Sequence, residues 1–210
     1  MISDYLLVTY SDVVENAKTD FNKWYNDVHL PDFVACPGFL AASRYESLQG
    51  EPTFLAIYHM ENPGALATPE VQRVWGWGPM APYLRNAHGR AYRRTKTLGR
   101  ADAEASAPAT PADFVLVTSS DVVSGAEQDF NAWYDEIHLP DILECPGFLS
   151  ASRYECDDGE PRFLAIYDLD RPDALETPEM KRVHGWGPVA PRMRNFHGRI
   201  YQRTLTIEAP

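Results

Sequence analysis

Phe21-Asn22-Lys23-Trp24-Tyr25-Asn26-Asp27-Val28-His29-Leu30-Pro31-Asp32 returns later as Phe130-Asn131-Ala132-Trp133-Tyr134-Asp135-Glu136-Ile137-His138-Leu139-Pro140-Asp141. The offset is 109 residues. It holds without a gap from Tyr5/Phe114 to Leu98/Ile207, with roughly 60% of paired positions identical. Chance does not produce such a match, so the chain is a tandem duplication. The period is too long for a solenoid unit and has the size of a small domain. The chain therefore reads as a first repeat over 1–99, a linker over 100–112 and a second repeat over 113–210. The linker is rich in Ala and Pro and holds no large apolar residue, so it reads as semi-extended.

Within one copy, the apolar, β-rich run 5–10 predicts a strand. Residues 16–28 predict a helix, because Ala17, Phe21, Trp24, Tyr25 and Val28 recur at three-to-four spacing. Pro31 is expected to end it, since proline disfavours helical geometry at the residue before it. Cys36-Pro37-Gly38 signals a turn. Residues 39–47 and 53–60 read as two strands joined through Gln49-Gly50-Glu51-Pro52. A second helix is expected over 65–74, capped near Asn62-Pro63. A short helical piece follows over 81–86 and a last strand over 89–98. The resulting order is that of the split βαβ, ferredoxin-like unit. The expected fold class is α+β: two tandem ferredoxin-like (βαββαβ) repeats whose sheets cover each other as a pseudo-dimeric α+β barrel.

Composition narrows the function. With 44% hydrophobic and 12% aromatic residues the chain has material for a packed core. Its formal net charge of −11 argues against a phosphate-tracking nucleic-acid binder and against docking on anionic lipid. The acidity is uneven: residues 1–99 carry 9 basic and 10 acidic groups, residues 100–210 carry 10 and 20. No apolar run has the length of a membrane span. The opening residues lack a basic segment followed by an apolar one, so a cytoplasmic location is expected. Cys36, Cys145 and Cys156 are too few for a disulfide framework and contain no CxxC pair.

The copies resemble the dimeric α+β barrel superfamily, and within it the EthD-like (ethyl tert-butyl ether degradation type) branch. The motifs are Phe21-Asn22-Lys23-Trp24-Tyr25 leading into His29-Leu30-Pro31, then Cys36-Pro37-Gly38-Phe39 and Ser43-Arg44-Tyr45. Their counterparts are Trp133-Tyr134, His138-Leu139-Pro140, Pro146-Gly147-Phe148 and Ser152-Arg153-Tyr154. The resemblance spans both repeats. It implies a superfamily of lyases, cyclases, isomerases, cofactor-free monooxygenases and chlorite- or haem-related enzymes, so the fold leaves the reaction open. It also marks the His of the WYxxxHLP stretch as the functional position.

Of six histidines, His29/His138 and His88/His197 form repeat pairs, whereas His59 faces Asp168 and His184 faces Trp75. His29 and His138 are candidate acid/base groups. The alternative is a His that interacts with a helix end. Tyr25 and Tyr134, four residues earlier, and Asp32 and Asp141, three residues later, are candidates to hydrogen-bond or orient the ring. Arg44 and Arg153 are candidates to bind a substrate oxygen, or else to pair with a neighbouring acid such as Glu46. Trp77 and Trp186, flanked by Gly and Pro, are candidate pocket walls or core plugs. His88 and His197 either touch substrate or bond local backbone at the entry to the last strand. No metal site is indicated, and no dinucleotide, nucleoside triphosphate or nucleophile-elbow motif is present.

These features lead to an expected cofactor-independent lyase or isomerase working on a small, apolar, oxygenated metabolite through a His acid/base. The alternatives are a cofactor-free or haem-assisted monooxygenase and a non-catalytic binding or stress-related module. The expected partner is a small molecule, with neither nucleic acid nor membrane. The chain is expected to be a monomer by internal pseudo-dimerisation, with further homodimerisation open.

Overall fold

The computed structural model describes residues 3–100, 111–183 and 185–210. Most of the expected linker and His184 lie outside them. The first repeat contributes β1 (Tyr5–Val13), α1 (Lys18–Trp24), a π-helical turn (Tyr25–His29), α2 (Leu30–Val34), β2 (Phe39–Ser47), β3 (Phe54–Met60), α3 (Pro69–Val74) and β4 (Leu84–Gly99). The second contributes β5 (Phe114–Val122), α4 (Glu127–Trp133), a second π turn (Tyr134–His138), α5 (Leu139–Leu143), β6 (Phe148–Glu155), β7 (Phe163–Leu169), α6 (Pro178–Val183) and β8 (Met193–Glu208). The fold is α+β. The hydrogen-bonded strand order is the closed barrel β1-β3-β2-β8-β5-β7-β6-β4.

The chain divides into two compact units. One runs to Tyr92 and takes up Arg203–Pro210; the other is Arg93–Gln202. In the first unit β1 pairs antiparallel with β3, Leu7 opposite Tyr58 and Thr9 opposite Ala56, and Arg44 on β2 stands opposite Ala56. The end of β8 completes this sheet, with Thr206 Oγ1 2.8 Å from Ser43 Oγ and the Ala209 N–H donating to Leu40 O. In the second unit β5 pairs with β7, Leu116 opposite Tyr167 and Thr118 opposite Ala165. Strand alternation sorts the faces. Leu7, Ala42, Ala56 and Tyr58 pack with Phe21, Tyr25, Leu30 and Phe33 from the helical segment. Leu6, Val8, Leu55 and Ile57 are buried on the opposite face. Burying a side chain such as Phe21 fully contributes about 2–3 kcal/mol.

The first helix does not stop at Pro31. It passes through the π turn and continues to Val34. The Leu30 N–H donates to Tyr25 O, five residues back. The widened turn places Pro31 in the first turn of α2, where a missing N–H costs no hydrogen bond. The second helix is also divided. A 3₁₀ turn over Pro63–Ala67, capped by Asn62 Oδ1 on Gly64 N, precedes α3, and Thr68 Oγ1 accepts from Val71 N. The expected helical piece over 81–86 is a 3₁₀ turn over Gly78–Tyr83, so β4 begins at Leu84.

Candidate functional site

The π turn decides the local geometry. In an α-helix, residues five apart lie about 140° apart around the axis. The extra residue of the π turn brings Trp24 and His29 face to face, with ring centroids 4.5 Å apart. Trp77 packs against the same imidazole at 6.0 Å. Tyr25 and Phe33 meet it edge-on at 4.8 and 4.9 Å. His29 is thus an imidazole packed against two indoles. The 3₁₀ turn carrying Trp77 closes onto Trp24 through Gly78 (φ +44°), where a Cβ would come within 3.2 Å of the indole. The second unit repeats the device: His138 lies 4.6 Å from Trp133 and 5.8 Å from Trp186.

Each imidazole opens onto a cavity on the helix-covered face of its own sheet, not in the mouth of the barrel. The first measures about 190 Å³ and is lined by Leu7, Thr9, His29, Phe33, Tyr58 and Trp77, among others. The second measures about 310 Å³. Leu116, Thr118, Tyr134, His138, Tyr167 and Trp186 line it with Ile142, Met180 and Phe196. Neither ring nitrogen of His29 has a hydrogen-bond partner among the described residues. Burial, and then the charge of Arg44, hold its pKa down at about 4, so His29 is neutral at pH 7.

Tyrosines floor both cavities. Tyr25 Oη lies 2.7 Å from Tyr58 Oη and 3.4 Å from Thr9 Oγ1. Three hydroxyls make two mutual bonds, which leaves one O–H of the chain without an acceptor in it. Tyr134 and Tyr167 are 2.6 Å apart, and Thr118 bonds Tyr134 in the same way. Burial raises the pKa of all four tyrosines, so they remain donors at neutral pH. A ligand in either cavity therefore meets tyrosine and threonine hydroxyls, an imidazole and aromatic walls.

Other expected site residues lie elsewhere. Asp32 and Asp141 are exposed. Their backbone carbonyls accept from the Cys36 and Cys145 thiols, and aromatic rings pack against the imidazoles instead. Arg44 and Arg153 line neither cavity; strand alternation turns them under α1 and α4. Arg44 donates to Asn26 Oδ1 at 2.5 Å and Asn22 Oδ1 at 3.0 Å, with its guanidinium 4.3 Å from the Tyr25 ring. Glu46 pairs with Lys18 instead. Arg153 does form an ion pair, but with Asp135 at 2.6 Å, and it also reaches Asn131. His88 is exposed, stacks on Tyr10 and has Nδ1 2.8 Å from Asn86 O, the local backbone role. His197 is exposed on β8 opposite Ser119.

Sequence reasoning missed Trp24/Trp133, Tyr58/Tyr167, Thr9/Thr118 and Asn26/Asp135. Only the last had a visible signal, a neutral-for-acidic exchange inside the repeated motif. Among the described residues, no group of three or more His, Cys, Asp or Glu is placed to hold a metal.

No protein-family profile and no curated protein matches the chain. Solved structures do. An anthrone oxidase-like protein superposes with a TM-score of 0.73 at 13% identity, covering 98% of this chain and 92% of its own. A protein of Lactobacillus acidophilus NCFM described as a monooxygenase gives 0.61 at 12%, covering 98% and 96%. A mutant chlorite dismutase from Candidatus Nitrospira defluvii gives 0.67 at 9%, covering 98% and 93%. At these identities the likeness shows the fold alone. Among the described residues, no helix is long and apolar enough to cross a membrane.

Proposed function

We propose that the chain is a cofactor-independent monooxygenase acting on a planar aromatic compound that carries an acidic C–H beside an oxygen, as an anthrone does. We read it as a fused pair of ferredoxin-like repeats, with the second cavity as the working site. The carrying observation is that cavity itself: an imidazole packed against two touching indoles, facing a tyrosine pair, in an otherwise apolar pocket. Its volume of about 310 Å³ reaches the range of small-molecule sites, whereas the first cavity falls below it. The names of structural neighbours, an anthrone oxidase-like protein and a monooxygenase, support oxygen chemistry over the lyase or isomerase expected from sequence. The EthD-like affiliation rests on the short motifs alone.

In this reading, Trp186 and Phe196 hold the flat ring system. Tyr167 donates to the substrate oxygen and stabilises the anion formed when the C–H proton leaves for His138. The carbanion passes one electron to dioxygen, and the radical pair combines into a C–O bond. The peroxide takes up a proton, then loses water. One oxygen atom stays in the product as C=O and the other leaves as water, so a CH₂ group and O₂ give a carbonyl and H₂O.

The test is oxygen uptake with anthrone and related hydroxyaromatics, followed by labelling with ¹⁸O₂. One O₂ consumed per substrate, with label in the new carbonyl, is expected. Undiminished turnover without oxygen would overturn the reading in favour of proton-transfer chemistry. Absence of any oxygen uptake across the series would overturn it outright.

A further inference from the structure

The two arginines beneath the cavities have different company. Arg153 is neutralised by Asp135. Arg44 stands in the same place, and position 26 is Asn. Among the described residues Arg44 has no ion-pair partner. Its ligands are two neutral amide oxygens and the faces of Phe21, Tyr25 and Phe54. Arg44 is 3% exposed, so water screens its charge little. Glu46 acts on Arg44 through space, but it is itself paired with Lys18 in a partly exposed bridge.

This cation lies directly behind the hydroxyl chain of the first cavity. The guanidinium sits over the Tyr25 ring, Tyr25 bonds Tyr58, and Tyr58 and Thr9 line the cavity with His29. A negative charge at the spare O–H is favoured by hydrogen bonding and by the field of Arg44 together. In the second unit Asp135 cancels that field. The first cavity is also small: about 190 Å³ holds one aromatic ring, since an apolar cavity of about 150 Å³ takes up benzene.

We propose that the first cavity is an anion site that takes the ionised form of a single-ring phenol or enol, and that Asn26 creates this preference by leaving Arg44 without a carboxylate. Asn26 acts through Arg44 and Tyr25 without touching the ligand, which makes it a specificity-determining residue. The inference concerns binding and stands independently of the oxygenase reading.

The experiment titrates 4-nitrophenol, whose ionised form absorbs visible light, against the full-length protein, Asn26→Asp, Asp135→Asn and Arg44→Met. The Asn26→Asp chain copies an arrangement that the second unit already holds, and its fold is checked by thermal unfolding. In the wild-type protein, preference for the phenolate over the phenol is expected to exceed that of Asn26→Asp by about tenfold, one unit in the bound probe's apparent pKa. Arg44→Met is expected to lose the preference likewise. Asp135→Asn is expected to add a second phenolate-preferring site. An unchanged bound spectrum in both Asn26→Asp and Arg44→Met would overturn the proposal, as would failure of the wild-type protein to bind nitrophenolate. Neither outcome bears on oxygen uptake with anthrone.

Discussion

The two units pack the same imidazole against the same two indoles over the same tyrosine pair, yet they differ in what surrounds it. Phe33 packs edge-on against His29 in the first unit, and Ile142 takes its position in the second. Val71 becomes Met180, and Ala87 becomes Phe196, which meets Trp186 at 4.7 Å. Beneath the site, a lone Arg44 faces an Arg153–Asp135 pair. The constant part is the frame that holds a ring. The variable part is the volume and the field. Duplication in one chain allows this division, since each copy can change its walls while the other keeps the frame.

The comparison breaks most sharply at the histidines. We expect His138→Ala to lower turnover by about a hundredfold or more. His29→Ala should leave most of it. Equal losses in steady-state assays would show two working sites.

The arginines come next. Arg153→Met strands a partly buried carboxylate and should lower stability by about 3 kcal/mol. Arg44→Met strands only amides and should cost less, about 1–2 kcal/mol, as read by urea unfolding.

Acid should then act through His29. Its folded pKa of about 4 lies below the unfolded value near 6.5, so the unfolded chain binds more protons between them. Its contribution is fully present above about pH 6.5 and is lost as pH falls toward 4, up to about 3 kcal/mol. His29→Phe should flatten that part of the stability profile. The smallest effect is at the cavity wall. Phe196→Ala should relax ring-size selectivity several-fold, measured as relative kcat/KM for one-, two- and three-ring substrates.

Much of the fold was legible in the chain. Apolar, β-rich runs marked β2 and β3 closely, because strands buried on both faces read as near-continuous apolar stretches. The breaks came where tertiary packing overrode local rules. Pro31 read as a helix stop, yet one extra residue in the π turn moved it into a tolerated position. The same extra residue hid the site, since Trp24 and His29 are not neighbours on an ordinary helix. His29 and Trp77 were legible as chemistry-bearing types in repeated motifs. Arg44 was misplaced because a strand's alternation gives two faces without saying which one the helices cover.

The sequence by itself determined the duplication, the order of elements within each copy and the pairing of His29 with His138. These follow from local patterns and from self-similarity. Only the tertiary structure decided that the imidazoles pack against paired indoles, that Arg44 lies outside the cavity and that the two cavities differ in size and charge. Stacking, cavity volume and buried charge depend on residues far apart in sequence, and their distances exist only once the chain has folded.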